Sequence, residues 1–275
     1  MSEPLAQILW LTLLGVLGLV FGSFANVVIW RFPRGESLSN PPSHCPRCGH
    51  PIRWRDNIPV ISWLLLRGRC RDCGEPISVR YPVVELATGL LWVLAGVLYG
   101  ATLQTGVAIV LFYLLLILSM IDLDTMRLPN PLVALLAVFG LVAVLASQVW
   151  SIAAAPLTPS SWSPVATALA GALLGAGVSL AVASAYRAVR KTSGFGMGDV
   201  KLLGALGLYF GAYVLMVLFF GSLLGAVVGV VLAGSSRESL RTKKIPFGPM
   251  LALGAVLTAV AGPALWNWYL GLAGF

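Results

Sequence analysis

Long apolar runs joined by short polar turns make up most of this chain, with one large polar interruption near the start. The runs cover residues 8–30, 82–98, 104–121, 129–150, 165–188 and 246–269, and a longer one covers 200–234. Six of them are close to the roughly 20 residues that a helix needs to cross a bilayer. The run over 200–234 is too long for a single crossing. Its basic flanks, Lys201 and Arg237, should lie on one side of a membrane. It is therefore expected to turn back near Gly211, with a short first limb. The pattern predicts an all-α polytopic membrane protein of about eight transmembrane helices, with both termini outside. The expected organisation is a first transmembrane helix over 1–30, a small cytosolic domain over 31–81 and a membrane-embedded core over 82–275.

Composition agrees with this and narrows the function. The 275 residues are 58% hydrophobic and 10% charged, against roughly 25% charged in soluble domains. A net charge of +8 would otherwise suggest a nucleic-acid partner. With eight crossings, all eighteen Lys and Arg residues fall on the inner side or at its edge. The charge then reports topology, and the expected partner is the lipid bilayer, not nucleic acid. Residues 151–164 are uncharged and rich in Ala, Pro and Ser, which reads as an outer loop.

The interruption over 31–81 is a different material. It carries half of the basic residues, both histidines and all four cysteines. The cysteines read Cys45-Pro46-Arg47-Cys48 and Cys70-Arg71-Asp72-Cys73, each pair followed by a glycine. Two such knuckles supply the four thiolates of a tetrahedral structural zinc site, the preferred reading. A segment this short builds little core and needs such a staple. The rival is a pair of redox motifs, whose usual βαβ setting is absent here. His44 and His50 flank the first knuckle and read as bystanders.

The candidate chemistry sits at the ends of apolar runs. Gly194-Phe195-Gly196-Met197-Gly198-Asp199-Val200-Lys201 leads into one of them. Locally it reads as a turn with Asp199 capping a helix. An ionisable group at the edge of a span is also a functional candidate by default. Asp122, which ends the run over 107–121, is its counterpart, whereas Asp124 and Arg127 read as a solvated turn. Glu85 lies just inside a span and suits either an early helix position or a site. Small residues and Asn26 in Phe21-Gly22-Ser23-Phe24-Ala25-Asn26 suggest close helix packing.

Taken in order, these motifs make the chain similar to the type IV prepilin peptidases. The resemblance rests on Phe21-Gly22-Ser23-Phe24, the two knuckles, Asn57-Ile58-Pro59 and Arg80-Tyr81-Pro82 with Glu85. It continues through Ile121-Asp122 with Leu128-Pro129, Gly196-x-Gly198-Asp199-x-Lys201 and Pro246-Phe247-Gly248-Pro249. One departure is Pro129-Asn130, where many members have Pro-Asp. The resemblance implies an intramembrane aspartic protease with Asp122 and Asp199 as its catalytic pair. It implies prepilin and pseudopilin substrates, the bacterial cytoplasmic (inner) membrane, and N-methylation of the new terminus by S-adenosyl-L-methionine. Because methyl transfer rests on the resemblance alone, a peptidase without it remains an alternative. So does a non-enzymatic membrane assembly subunit.

Overall fold

The computed structural model describes residues 3–149, 163–190, 196–235 and 245–273. Nine α-helices are found among the described residues: α1 Glu3–Arg31, α2 Ile61–Leu65, α3 Arg80–Tyr99, α4 Leu103–Thr125, α5 Asn130–Val149, α6 Pro164–Arg190, α7 Met197–Phe210, α8 Val214–Ser235 and α9 Gly248–Ala273. They sort into two compact units, Met1–Ala101 and Thr102–Phe275. The expected loop over 151–164 and the basic loop after Arg237 lie mostly outside the described residues.

In the first unit α1 and α3 pack at close range. A methyl group added at Gly18 would come within 2.8 Å of Gly89 Cα, and one at Gly22 within 2.7 Å of Glu85 Cα. Small residues four apart allow this approach in lipid, where backbones gain by touching. Asn26 donates to the carbonyl of Tyr81 at 3.2 Å and ties the same pair together. The expected packing role of this patch is met by Gly22 and Asn26.

The insert consists of turns, two short 3-10 helices, Phe32–Arg34 and Trp54–Asn57, and α2. Each cysteine pair forms a knuckle with the same hydrogen bonds. Cys45 N–H donates to His50 O and Gly49 N–H to Cys45 O, both at 2.9 Å. Cys70 N–H donates to Glu75 O at 2.8 Å and Gly74 N–H to Cys70 O at 2.9 Å. Gly49 and Gly74 adopt φ +71° and +74°, which explains a glycine after each pair. Two Arg–Asp pairs staple the second knuckle to the 3-10 turn Trp54–Asn57. Arg71 holds Asp56 through both oxygens at 2.7–3.1 Å, and Arg53 donates to Asp72 at 3.1 Å.

In the second unit α6 lies antiparallel to α7, and α8 to α9. Gly171 meets Gly207, and Gly175 meets Leu203 further along. Gly221 meets Met250 and Leu251, and Gly225 meets Phe247. The buried Tyr209 hydroxyl donates to Leu136 O at 2.7 Å, pinning α7 to α5.

Among the described residues seven segments are long and apolar enough to cross a membrane, one of them the 36-residue stretch Met197–Leu232. Counted by length the spans are thus seven, and the expected eight depends on how this stretch is divided. It is broken at Gly211, with φ +56°, into the 14-residue α7 and the 22-residue α8. The start of α7 and the later half of α8 both lie toward the end of the unit that holds Asp122. Gly198 rests on Leu128, while Gly225 rests on Phe247, next to the Gly248 that touches Asp122. The limbs therefore run in opposite directions, and α7, about 21 Å long, is shorter than a bilayer core.

Candidate functional site

α4 delivers the first aspartate. It continues one turn past Asp122 and stops at Met126, which adopts φ 54° and donates its N–H to Asp122 O at 2.8 Å. The Asp122 side chain is buried, and its Oδ2 accepts from Gly248 N–H at 2.9 Å, at the first residue of α9. The second aspartate corrects the sequence reading. Asp199 is not the N-cap of its helix. α7 begins two residues earlier, Gly196 is the N-cap, and Asp199 reaches back to accept from Gly196 N–H at 3.2 Å. Gly194 and Phe195 lie outside the described residues.

Both carboxylates line one cleft of about 370 Å³ with Leu128, Asn130, Gly196, Gly198 and Lys201. Leu128 is the wedge between the two arms. Methyl groups added at Gly198 and Gly248 would come within 3.2 and 3.1 Å of its side chain. Asn130 Oδ1 accepts from Lys201 Nζ at 2.9 Å, so the departure at position 130 still supplies an acceptor. Each aspartate is met by a backbone N–H at the start of a helix. Helix ends alone therefore do not decide which of the two would carry a shared proton. Asp124 is exposed.

Such a cleft can hold a water between two carboxylates, one taking its proton while the other donates to a carbonyl. The Gly248 contact was missed from sequence. The two residues are 126 apart, and only the fold brings that glycine to Asp122.

The four cysteines form a separate cluster in the first unit. Their sulfur atoms all lie within 4.8 Å of one another, and Cys45 Sγ is 3.8 Å from Cys73 Sγ. A tetrahedral ion with about 2.3 Å bonds to sulfur sets its ligands about 3.8 Å apart, so the cluster fits a metal ion. The thiols are unequal. The backbone N–H groups of Cys48 and Arg47 pull Cys45 down to about 7. For Cys73 the Glu75 N–H pulls downward, but burial and the three neighbouring thiols outweigh it and push the group up to about 12. Four thiols at this spacing can hold one metal ion. His44 and His50 are not part of the cluster among the described residues.

Glu85, left open from sequence, is buried in α3 and accepts from Val60 N–H at 2.8 Å. Val60 adopts φ 60°, ψ −49°, an unusual conformation for a β-branched residue. This carboxylate holds the insert in shape, within the first unit.

Comparison with known proteins now bears on both sites. Residues 16–99 match the bacterial peptidase A24 N-terminal domain, and residues 109–230 match the type IV leader peptidase family. The chain belongs to the type IV leader peptidase family. It is 37% identical to a protein of Aeromonas hydrophila named prepilin leader peptidase/N-methyltransferase, over 95% of this chain and 94% of that one. Proteins of the same name are 43% identical in Klebsiella pneumoniae, over 74% of this chain and 86% of the relative, and 35% identical in Pseudomonas putida, over 97% and 96%. No solved structure matches. Within this leader peptidase chain, both aspartates fall in the 109–230 match and the four cysteines in the 16–99 match, while Gly248 lies beyond either.

Proposed function

We propose that this chain removes the leader peptide of prepilins and pseudopilins with Asp122 and Asp199, and then methylates the new N-terminal amine. One observation carries the reading: two aspartates from separate apolar helices share one cleft, inside the region that matches the leader peptidase family. The relatives' names supply the substrate class and the second activity.

In the first reaction Asp122 and Asp199 hold the attacking water. One carboxylate accepts its proton, and the other, protonated, donates to the scissile carbonyl. The tetrahedral intermediate then collapses, the C–N bond breaks and the amine leaves with a proton. A basic leader in the cytosol followed by an apolar helix in lipid puts the cut at the inner boundary. With the basic residues inside, the aspartate cleft lies at that level, in the bacterial cytoplasmic membrane. In the second reaction the neutral amine takes a methyl group from S-adenosylmethionine. The N–C bond forms as the S–C bond breaks, sulfur keeps the electron pair and the amine loses a proton to solvent.

The thiol cluster serves as a structural zinc site. Cys45, Cys48, Cys70 and Cys73 hold the ion, and the knuckle glycines and the Arg71–Asp56 pair shape the segment around it. In this division residues 1–30 form the first helix, 31–81 the zinc domain and 82–275 the protease part, whose cleft residues all lie beyond Ala101. The test is to incubate the purified protein in detergent with a synthetic prepilin, with and without S-adenosylmethionine, and read product masses. Loss of the leader alone, then a further methyl mass with the donor, is the expected result. An intact precursor that Asp122→Asn and Asp199→Asn leave equally intact would favour a docking subunit.

A further inference from the structure

The first unit contains a cleft of about 540 Å³ that the aspartate chemistry does not use. α1 forms one wall through Ser23, Phe24 and Arg31. Leu38, Ser39, Pro41-Pro42-Ser43 and Asn57-Ile58-Pro59 form the other. The cleft therefore takes up two sequence motifs to which cleavage gives no role.

Three features mark it as a built site. The first is charge. Arg31 is buried, and its two terminal nitrogens donate to Ser37 O at 3.0 Å and Pro41 O at 2.7 Å. No carboxylate pairs with it among the described residues. A buried cation with neutral partners alone is costly, and an anion entering the cleft would relieve it. The second is an idle polar group. Asn57 lines the cleft at an exposed position, and its amide, with no protein hydrogen bond among the described residues, is open to a ligand. The third is fixed walls. Asn57-Ile58-Pro59 is braced on one side by Asp56, which Arg71 grips, and on the other by Val60, which Glu85 holds in a strained conformation. Strain of this kind persists where the surroundings dictate it, and it gathers at ligand clamps.

We propose that this cleft binds the methyl donor, a sulfonium amino acid joined to a nucleoside. The donor's carboxylate pairs with Arg31. Asn57 bonds to its ammonium or ribose groups, the Ser23 hydroxyl, which donates to Glu85, offers its remaining acceptor site, and Phe24 and Ile58 flank the base. The volume lies within the range of about 300–1,000 Å³ that takes ligands of this size. The inference rests on the methyltransferase reading and adds the location. It also gives the zinc domain a specific part, because the second knuckle carries Arg71, and Arg71 fixes the residue next to Asn57.

The test is equilibrium binding of radiolabelled S-adenosylmethionine to the purified full chain in detergent, with methylation of a pre-cleaved pilin measured alongside. Wild type should bind saturably. Arg31→Gln should weaken binding about tenfold or more, the loss expected for a charge-assisted bond. Asn57→Ala should weaken it severalfold, with the metal content unchanged. Should Arg31→Gln also lose its metal, Asn57→Ala decides, since its side chain supports nothing in the fold. Equal donor affinity in wild type and Asn57→Ala, with methylation intact, would overturn the location and leave the methyltransferase reading standing. A wild-type chain that neither binds nor uses the donor would overturn both. Overturning too would be saturable binding of phosphatidylglycerol, displaced by Arg31→Gln, in a chain that binds no donor.

Discussion

Gly248→Ala is the sharpest test of how the aspartate cleft is built. The added methyl carbon would sit 2.8 Å from Asp122 Oδ2, 3.3 Å from Asp122 Cγ and 3.1 Å from Leu128 Cδ2. Carbon contacts settle at about 3.5–4.0 Å, so the carboxylate must retreat by roughly 0.5–1 Å. The retreat also stretches the 2.9 Å bond from Gly248 N–H. Misplacing a reacting group by about 1 Å costs about 100-fold in rate. Overpacking costs about 1–3 kcal/mol of stability, too little by itself to unfold a domain of ordinary stability. Leader cleavage should therefore fall about 30- to 100-fold in kcat, with the protein still inserted and KM for the precursor little changed.

Two other glycines calibrate this result. Gly198→Ala meets Leu128 Cβ at 3.2 Å, a looser contact that touches neither aspartate, and should cost clearly less. Gly106→Ala lies in α4, the helix that carries Asp122, and meets nothing within 4 Å. It should be silent or slightly stabilising, because Ala is the better helix former by about 1 kcal/mol. The assay is single-turnover cleavage of a synthetic precursor, read by mass. Activity in Gly248→Ala within about threefold of wild type would refute the claim that this close contact positions Asp122.

Asp122→Asn and Asp199→Asn should each abolish cleavage, while Asp124→Asn, at an exposed position, keeps most of it; the same mass assay decides, and a required Asp124 would shift the assignment. Asp199→Asn should still methylate a pre-cleaved pilin, scored by methyl incorporation. Replacing any one of the four cysteines by Ser should lower bound zinc below one per chain by metal analysis and make the insert easier to cleave with protease. Asn130→Asp would turn the contact to Lys201 into an exposed ion pair worth about 0–1 kcal/mol, so cleavage and melting temperature should hardly move. Acid should strip the metal before it breaks the Arg71–Asp56 pair. Arg71 holds Asp56 below the usual carboxylate range, so its contribution is complete above about pH 4 and is lost only as pH falls through the lowered value. Protons compete with the metal for thiolates earlier. Chelator-detected zinc release should therefore precede any Asp56-dependent change in Trp54 fluorescence, and Asp56→Asn should remove that later step.

How much of this was legible depended on whether the signal was local. The spans were, because 20 apolar residues in a row have few other uses in a chain this poor in charge. Asp122 and the cysteine knuckles were as well, one from its place at the end of an apolar run and the other from spacing. Asp199 was found for a sound reason and placed on a faulty one. An Asp before an apolar run reads as a cap, yet Met197 and Gly198 already lie within the helix and the return bond goes to Gly196. What the pattern could not carry were pairings between distant positions. Gly248 with Asp122, Lys201 with Asn130 and Glu85 with Val60 are separated by 126, 71 and 25 residues. Nothing in the composition of either partner announces the other.

The structure also bears on why one chain would carry two clefts. Cleavage needs a nucleophilic water held by two acidic groups. Methyl transfer needs a neutral amine and is harmed by a competing water. The two clefts differ in the way these needs differ. Asp122 and Asp199 face one of them from α4 and α7, with backbone N–H groups supporting each carboxylate. The other has no carboxylate in its lining; a buried guanidinium, hydroxyls and an amide supply its polar groups. All the aspartate-cleft residues belong to Thr102–Phe275, and all the lining of the other to Met1–Ala101. On the proposed division, a substitution in one unit should silence its reaction without touching a residue of the other, which makes each activity a control for folding of the variant that lacks its counterpart.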